Sequence, residues 1–229
     1  MDPVSTDLML YLVRFAHVVA VIMWIGNSFY FMWLDANINL PLPQDEEPLG
    51  PNVTGRLWMV HGGGYYRVEK NKITPRGLPS VLHWFKWEAT FTWITGFLLF
   101  VLVFYLRDAA LLVDPQVLPM AGWQGVVLSL GIFAGAWLVY DFFWETKIAQ
   151  EGIVGHVISV LFAIGVIVLC CHVFSGRGAF VQVGATFATI MVLNVWLRIL
   201  PGQRAMIRAA EAGEEPDYSR GGNAKKRST

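Results

Sequence analysis

LMLYLVRFAHVVAVIMWIGNSFYFMWL, residues 8–34, is apolar along almost its whole length and carries one arginine and one histidine, Arg14 and His17. A bilayer hydrocarbon core about 30 Å thick is crossed by about 20 helical residues, so this run is long enough to span. Four more runs qualify, at approximately 83–106, 123–143, 153–174 and 179–200. The whole chain agrees with them, having 229 residues of which 55% are hydrophobic, ten of them tryptophan. Lipid offers no water to backbone N–H and C=O groups, so the runs are expected to be helices. The fold class is an all-α integral membrane protein, a bundle of about five transmembrane helices with one cytoplasmic loop subdomain.

The expected organisation follows. Residues 1–34 hold the first transmembrane helix, 35–82 a cytoplasmic loop, 83–200 helices two to five, and 201–229 a cytoplasmic polar tail. Orientation comes from the basic residues, because Lys and Arg collect in cytoplasmic loops. Arg56, Arg67, Lys70, Lys72 and Arg76 follow the first span, and Arg204, Arg208, Arg220, Lys225, Lys226 and Arg227 follow the fifth. The loops after spans two and four offer only Arg107 and Arg177. A periplasmic N-terminus and a cytoplasmic C-terminus in a bacterial inner membrane satisfy every loop. The first run is too long for a signal-peptide core and no small-residue cleavage site follows it. The partner this composition demands is the lipid bilayer, and no nucleic-acid partner is expected.

An ionisable side chain at bilayer depth is costly and marks a functional site by default. His17 lies about nine residues into the first span, roughly 13 Å at 1.5 Å per residue. Arg14 shares its face and could pair with a haem propionate, and Trp24 continues that face. His17 is therefore a candidate axial ligand for haem b, with Arg14 and Trp24 as cofactor-binding residues; a hydrogen-bonded interhelical histidine is the plain alternative. By depth, His17 can pair with His172 in the outer half, and His83 with His156 in the inner half. These four are the candidate iron ligands, since two histidines must face each other across a porphyrin to share one iron. His83, Lys86 and Trp87 are expected on one helical face, and Trp84 and Glu88 on another, with Glu88 in need of a partner.

HGGGYY, residues 61–66, is the second cluster. Consecutive glycines can turn backbone N–H groups onto an anion, and tyrosines can stack on a planar ring. Gly62, Gly63, Gly64, Tyr65 and Tyr66 are candidates for binding such a planar anion, with His61 as a proton carrier; the plain reading is a turn. Tyr65, Tyr66 and Val68 suit a short strand or hairpin edge. Residues 39–52 read as an irregular acidic loop and 203–215 as a short helix. Gly131 and Gly135 form a G-x-x-x-G of the kind that lets membrane helices approach. Cys170 and Cys171 are adjacent packing residues without the C-x-x-C-H of covalent haem attachment.

HGGGYYRVEK (61–70), LHWFKWEATFTWITGF (82–97) and FSGRGAFVQVGATFATIMVLNV (174–195), followed by PGQ (201–203), resemble the N-terminal membrane region of the bacterial membrane-bound urate oxidase family. The resemblance covers nearly the whole chain. It implies oxidation of urate to 5-hydroxyisourate, with electrons passed to a cytochrome c domain or subunit. In that setting His61, His83, Lys86 and Glu88 become the expected catalytic residues. The family's further helices and C-x-x-C-H domain would follow the AKKRST stretch, so haem c is expected only on a missing domain or a partner. The spacing His17, Trp24, Gly26 also resembles the first helix of haem-binding membrane proteins such as the HemJ-type protoporphyrinogen oxidase. Two rival readings remain at this point. One is a haem b electron-transfer membrane subunit of a respiratory complex without its own substrate site; the other is an assembly or transport protein whose histidines only pack.

Overall fold

In the computed structural model of the chain, the residues described are 3–38, 50–72, 74, 77–79, 81–106, 108–150, 152–219, 222 and 227. Most of the expected acidic loop (39–49), Arg76, Arg107, Arg220, Lys225 and Lys226 lie outside them. The elements are α1 (Pro3–Asn37), β1 (Val53–His61), β2 (Gly64–Asn71), α2 (Trp87–Phe100), α3 (Gly122–Glu145), α4 (Ile153–Val173), α5 (Gly176–Asn194) and α6 (Leu200–Ala212). Among the described residues, five helical segments are long and apolar enough to cross a membrane: Thr6–Asn37, Trp87–Tyr105, Gly122–Glu145, Ile153–Val173 and Gly176–Ala212. The chain is therefore a multi-pass helical membrane protein, with β1 and β2 forming a single antiparallel pair among the described residues.

Two boundaries differ from the sequence reading. The second span starts at Trp87, because residues 81–84 are not helical and Phe85–Lys86 form a turn. Ring contacts hold that segment off the helix axis: Phe85 packs edge-on to Phe31 at 4.9 Å and to His83 at 4.6 Å between centroids. His83 and Trp84 thus share no helical face with Lys86 or Glu88. The fifth span does not stop near residue 200 but continues through a π turn, Val195–Ile199, into α6. Pro201 has no N–H to give the preceding turn, and a widened π turn is a common way for a helix to absorb such a defect. Gly213, with φ +78, ends α6 by donating to the carbonyls of Ala209 and Ala210, as left-handed C-terminal glycines do.

The chain folds as two units, one of residues 1–21 and 86–194, the other of 22–85 and 195–229. In the first, α5 packs on α2, α3 and α4 around Phe100, Phe104, Phe133, Trp137, Cys170 and Phe174. Leu112, in the connection between α2 and α3, is fully buried. Ser175 fastens the α4–α5 turn to that connection, its hydroxyl donating to the Leu111 carbonyl at 2.7 Å and its N–H to Leu112 at 2.9 Å. The same hydroxyl oxygen accepts the Gly178 N–H at 3.0 Å and so caps α5. Gly131 and Gly135 are exposed, and among the described residues no atom lies within 4 Å of the place a Cβ would take at either; helix approach here does not use the G-x-x-x-G pair.

A polar chain crosses this core. The Tyr105 hydroxyl lies 2.7 Å from Ser129 Oγ, which donates to Gln182 Oε1 at 2.6 Å, while Gln182 Nε2 donates to the Ser129 carbonyl at 3.2 Å. Ser129 and Gln182 are wholly buried, so removing the link leaves both neighbours short of a partner. Ser129→Ala is expected to cost about 1–3 kcal/mol, read as a lower Tm in detergent with the helical circular-dichroism signal at room temperature unchanged.

Candidate functional site

His17 opens onto a cavity of about 750 Å³ in the first unit, lined from α1, α2, α4 and α5. Its walls are mostly apolar, and α5 contributes small residues, Gly176, Ala179, Gly184, Ala185 and Ala188, beside the bulkier Phe180, Val181 and Val183. The lining also includes Trp93 of α2, whose indole donates to Thr189 Oγ1 at 2.9 Å and stacks on Phe97 at 5.1 Å. That combination of volume, apolar lining and few polar groups is what a bound organic cofactor or ligand requires.

The imidazole is oriented by α2. His17 Nδ1 lies 3.0 Å from Thr95 Oγ1, and that hydroxyl lies 2.7 Å from the Phe91 carbonyl and 3.2 Å from the Thr92 carbonyl. A carbonyl can only accept, so the single hydroxyl hydrogen goes to the backbone and the threonine oxygen accepts from His17. Nδ1 is therefore the protonated nitrogen, and Nε2 keeps its lone pair. This is the arrangement that fixes a metal-ligating histidine, its second nitrogen held by an oxygen. Gly96 makes the approach possible, since an added Cβ there would lie 2.7 Å from His17 Cε1. The lining is compatible with haem: one histidine ring nitrogen beyond the Thr95 contact, in a mostly apolar cavity that holds aromatic side chains.

The other expected cofactor residues are placed differently. His172 is exposed with Nδ1 2.8 Å from the Val168 carbonyl, and His156 is exposed with Nδ1 2.7 Å from the Gly152 carbonyl. Both therefore present Nε2 away from their own helix. His172 does not line the His17 cavity, whereas its neighbour Cys171 does. Arg14 is exposed one turn before His17, and Trp24 is half-buried two turns after it. Among the described residues no three His, Cys, Asp or Glu side chains gather into a metal-binding group.

A second polar locus lies where α2 begins and α3 and α5 end. The cross-links give the register: Tyr105, Ser129 and Gln182 join at one end, Trp93 meets Thr189 further along, and Asn194 donates to the Tyr140 hydroxyl at 3.2 Å at the other end. Glu88 stands more than a turn before Trp93, and Trp144 one turn beyond Tyr140, with ring centroids 6.1 Å apart. Glu88 Oε2 and Trp144 Nε1 are both buried, and among the described residues neither has a hydrogen-bond partner. One is an acceptor and the other a donor, and each costs stability until something supplies the complementary group. Lys86 Nζ sits at the same end, 5.4 Å from the Trp87 ring centroid.

In the second unit the HGGG segment is the turn of the β1–β2 hairpin. Gly62 and Gly63 have φ of +56° and +79°, and His61 pairs with Gly64. Two central residues with positive φ make the turn that matches strand twist, which is why glycine occupies both. His61, Tyr65 and Tyr66 are exposed there, and His83 meets Phe85 edge-on in the same unit. Gly62→Ala with Gly63→Ala is expected to cost about 2–4 kcal/mol of hairpin stability, at about 1–2 per residue forced left-handed. Limited proteolysis between residues 53 and 71 would report it as accelerated cleavage.

Thr95, Gly96, Thr189 and Trp144 are absent from the site that sequence reasoning assembles. The only signal for the first two is a strip of small polar residues, Thr92, Thr95 and Gly96, in an otherwise bulky span. In comparisons with known proteins, the family model described as urate oxidase N-terminal matches residues 3–229. No curated protein and no solved structure matches the chain.

Proposed function

The chain belongs to the urate oxidase N-terminal family, and from that premise we propose that it is the membrane part of a urate-oxidising oxidoreductase, taking urate to 5-hydroxyisourate. The balance is urate plus water giving 5-hydroxyisourate, two protons and two electrons. A haem b held by His17 would supply the one-electron acceptance this balance needs, with a cytochrome c domain or subunit as the acceptor beyond it. The observation that supports the redox half is His17, which lines an apolar cavity while its Nδ1 is engaged by Thr95.

His17 is the iron ligand in this reading, with Thr95 holding its tautomer and Gly96 giving it room. Arg14 is the counterion for a propionate, and Trp93 and the apolar lining exclude water from the cavity. Pairings of His17 with His172 and of His83 with His156 belong to the same proposal, and the spectrum of each single alanine variant tests them.

Urate is handled where α2 begins and α3 ends, at Glu88 Oε2 and Trp144 Nε1, which have no hydrogen-bond partner among the described residues. Urate carries ring N–H donors and carbonyl acceptors, the complement of one carboxylate oxygen and one indole N–H. Glu88 accepts a proton as water adds, and the Lys86 ammonium offsets the anion's charge. The distribution of basic residues supports a cytoplasmic position for this end and for the C-terminus in a bacterial inner membrane, with the N-terminus periplasmic. That would put urate on the side where purine breakdown delivers it.

An anaerobic optical spectrum of the detergent-purified protein, before and after urate, tests this directly, with dithionite as the full-reduction reference. Urate is expected to shift the Soret band and raise the α-band. Reduction by dithionite alone would favour an electron-transfer subunit without a substrate site. A folded, colourless protein would end the haem reading.

A further inference from the structure

The β1–β2 hairpin has two unlike faces. Residues directly across the ladder share a face, so Arg56 with Glu69, Trp58 with Arg67 and Val60 with Tyr65 line one, while Gly55 with Lys70, Leu57 with Val68 and Met59 with Tyr66 line the other. The second face is turned to the last turns of α1: the Tyr30 hydroxyl donates to Met59 Sδ at 3.6 Å, and Lys70 pairs with Asp35. The first face keeps Trp58, Val60 and Tyr65 in the open, 58%, 69% and 83% exposed toward the turn.

Those two contacts also give the hairpin its direction. Lys70, near its base, meets Asp35 near the end of α1, whereas Met59, near its turn, meets Tyr30 five residues earlier. Five helical residues are about 7.5 Å, and the strand continues from Met59 toward the turn for about 10 Å more. The hairpin therefore folds back along α1 toward the bilayer rather than away from it. Asp35 is charged and half-exposed, so it belongs in the water beyond the headgroups, and a tip set back from it along α1 falls at the level of the interface.

We infer that the hairpin tip is an interfacial membrane anchor, with Trp58, Val60 and Tyr65 seated at the boundary between lipid headgroups and acyl chains. Phe29 and Trp33 of the same stretch of α1 are also well exposed, so apolar surface that would be costly in water is found on both elements. Tryptophan and tyrosine favour this layer because each has an apolar body and a polar tip. The Arg67 guanidinium, 5.7 Å from the Trp58 ring centroid, is a suitable partner for lipid phosphate. Deeper insertion is opposed, because the outer edges of a two-stranded ladder leave backbone groups that need water.

Nitroxide labels report this in full-length protein reconstituted into phosphatidylcholine–phosphatidylglycerol vesicles. Val60→Cys, Tyr65→Cys and Lys72→Cys are made in a Cys171→Ser background, Cys170 being fully buried. Dissolved oxygen concentrates in lipid and a neutral nickel chelate in water. The oxygen-to-nickel collision ratio at Val60 and Tyr65 is expected to be several-fold that at Lys72, at the hairpin base. Equal ratios at all three would place the tip in water and overturn the inference. Protection of Val60 and Tyr65 from both reagents would assign the face to a protein partner and overturn it as well. Both tip residues are open to solvent, so two independent labels guard against misfolding of either variant.

Discussion

His17→Ala is expected to yield a folded protein without a Soret band. The prediction rests on the hydrogen-bond chain from His17 Nδ1 to Thr95 Oγ1 and on to the Phe91 carbonyl. Ligation by Nε2 is possible only if Nδ1 carries the proton, and Thr95 is what holds it there. Thr95→Val keeps the shape and removes the acceptor, so haem affinity should fall about 10–100-fold, while Thr95→Ser should keep it. Gly96→Leu should block the cavity from the other side, because even a Cβ at Gly96 crowds the imidazole. The measurement is haem per protein by optical absorption, with far-ultraviolet circular dichroism confirming that the helices persist. Full haem occupancy in His17→Ala would move ligation to other histidines.

Glu88→Gln is expected to lower urate turnover about 100-fold or more, the range for losing a positioned proton acceptor, while leaving the haem spectrum intact. Glu88 Oε2 is buried and has no hydrogen-bond partner among the described residues, and glutamine preserves its size while removing its basicity. Trp144→Phe removes only one donor, about 1 kcal/mol of hydrogen bonding, so KM should rise about fivefold with kcat nearly unchanged. The two variants separate proton transfer from binding. Both are measured in the holoenzyme with its electron acceptor present. A Glu88→Gln enzyme turning over normally would remove the carboxylate from the chemistry, without touching the haem assignment.

Much of the fold is legible in the sequence because the bilayer imposes a length. Apolar runs locate all five spans, and Tyr65, Tyr66 and Val68 after the glycines anticipate β2. β1 escapes such a reading, because VTGRLWMVH mixes charge and apolar residues without clean alternation, and its partner strand is what pairs it. The start of α2 is misplaced from sequence because LHWF is apolar enough for helix, yet ring contacts from Phe31 and His83 to Phe85 decide otherwise. At the site, His17 and Glu88 are legible as ionisable groups inside apolar runs. Thr95 and Gly96 are not, since a threonine and a glycine in a membrane helix are ordinary until the neighbour they serve is known.

That five helices of this chain are built to cross a membrane is written in its residues alone. Length, hydropathy and the backbone's need for internal hydrogen bonds leave lipid-embedded segments no other regular form. His17 stands out at the same level, because an imidazole is conspicuous in any apolar run. Which nitrogen of His17 is available is a matter of packing. It depends on a hydroxyl 78 residues away and on a glycine that lets two helices close to contact distance. Packing likewise turns the hairpin back toward the bilayer, through contacts to Tyr30 and Asp35. Hydrogen-bond direction and the side of approach are properties of neighbours in space, and a linear pattern carries neither.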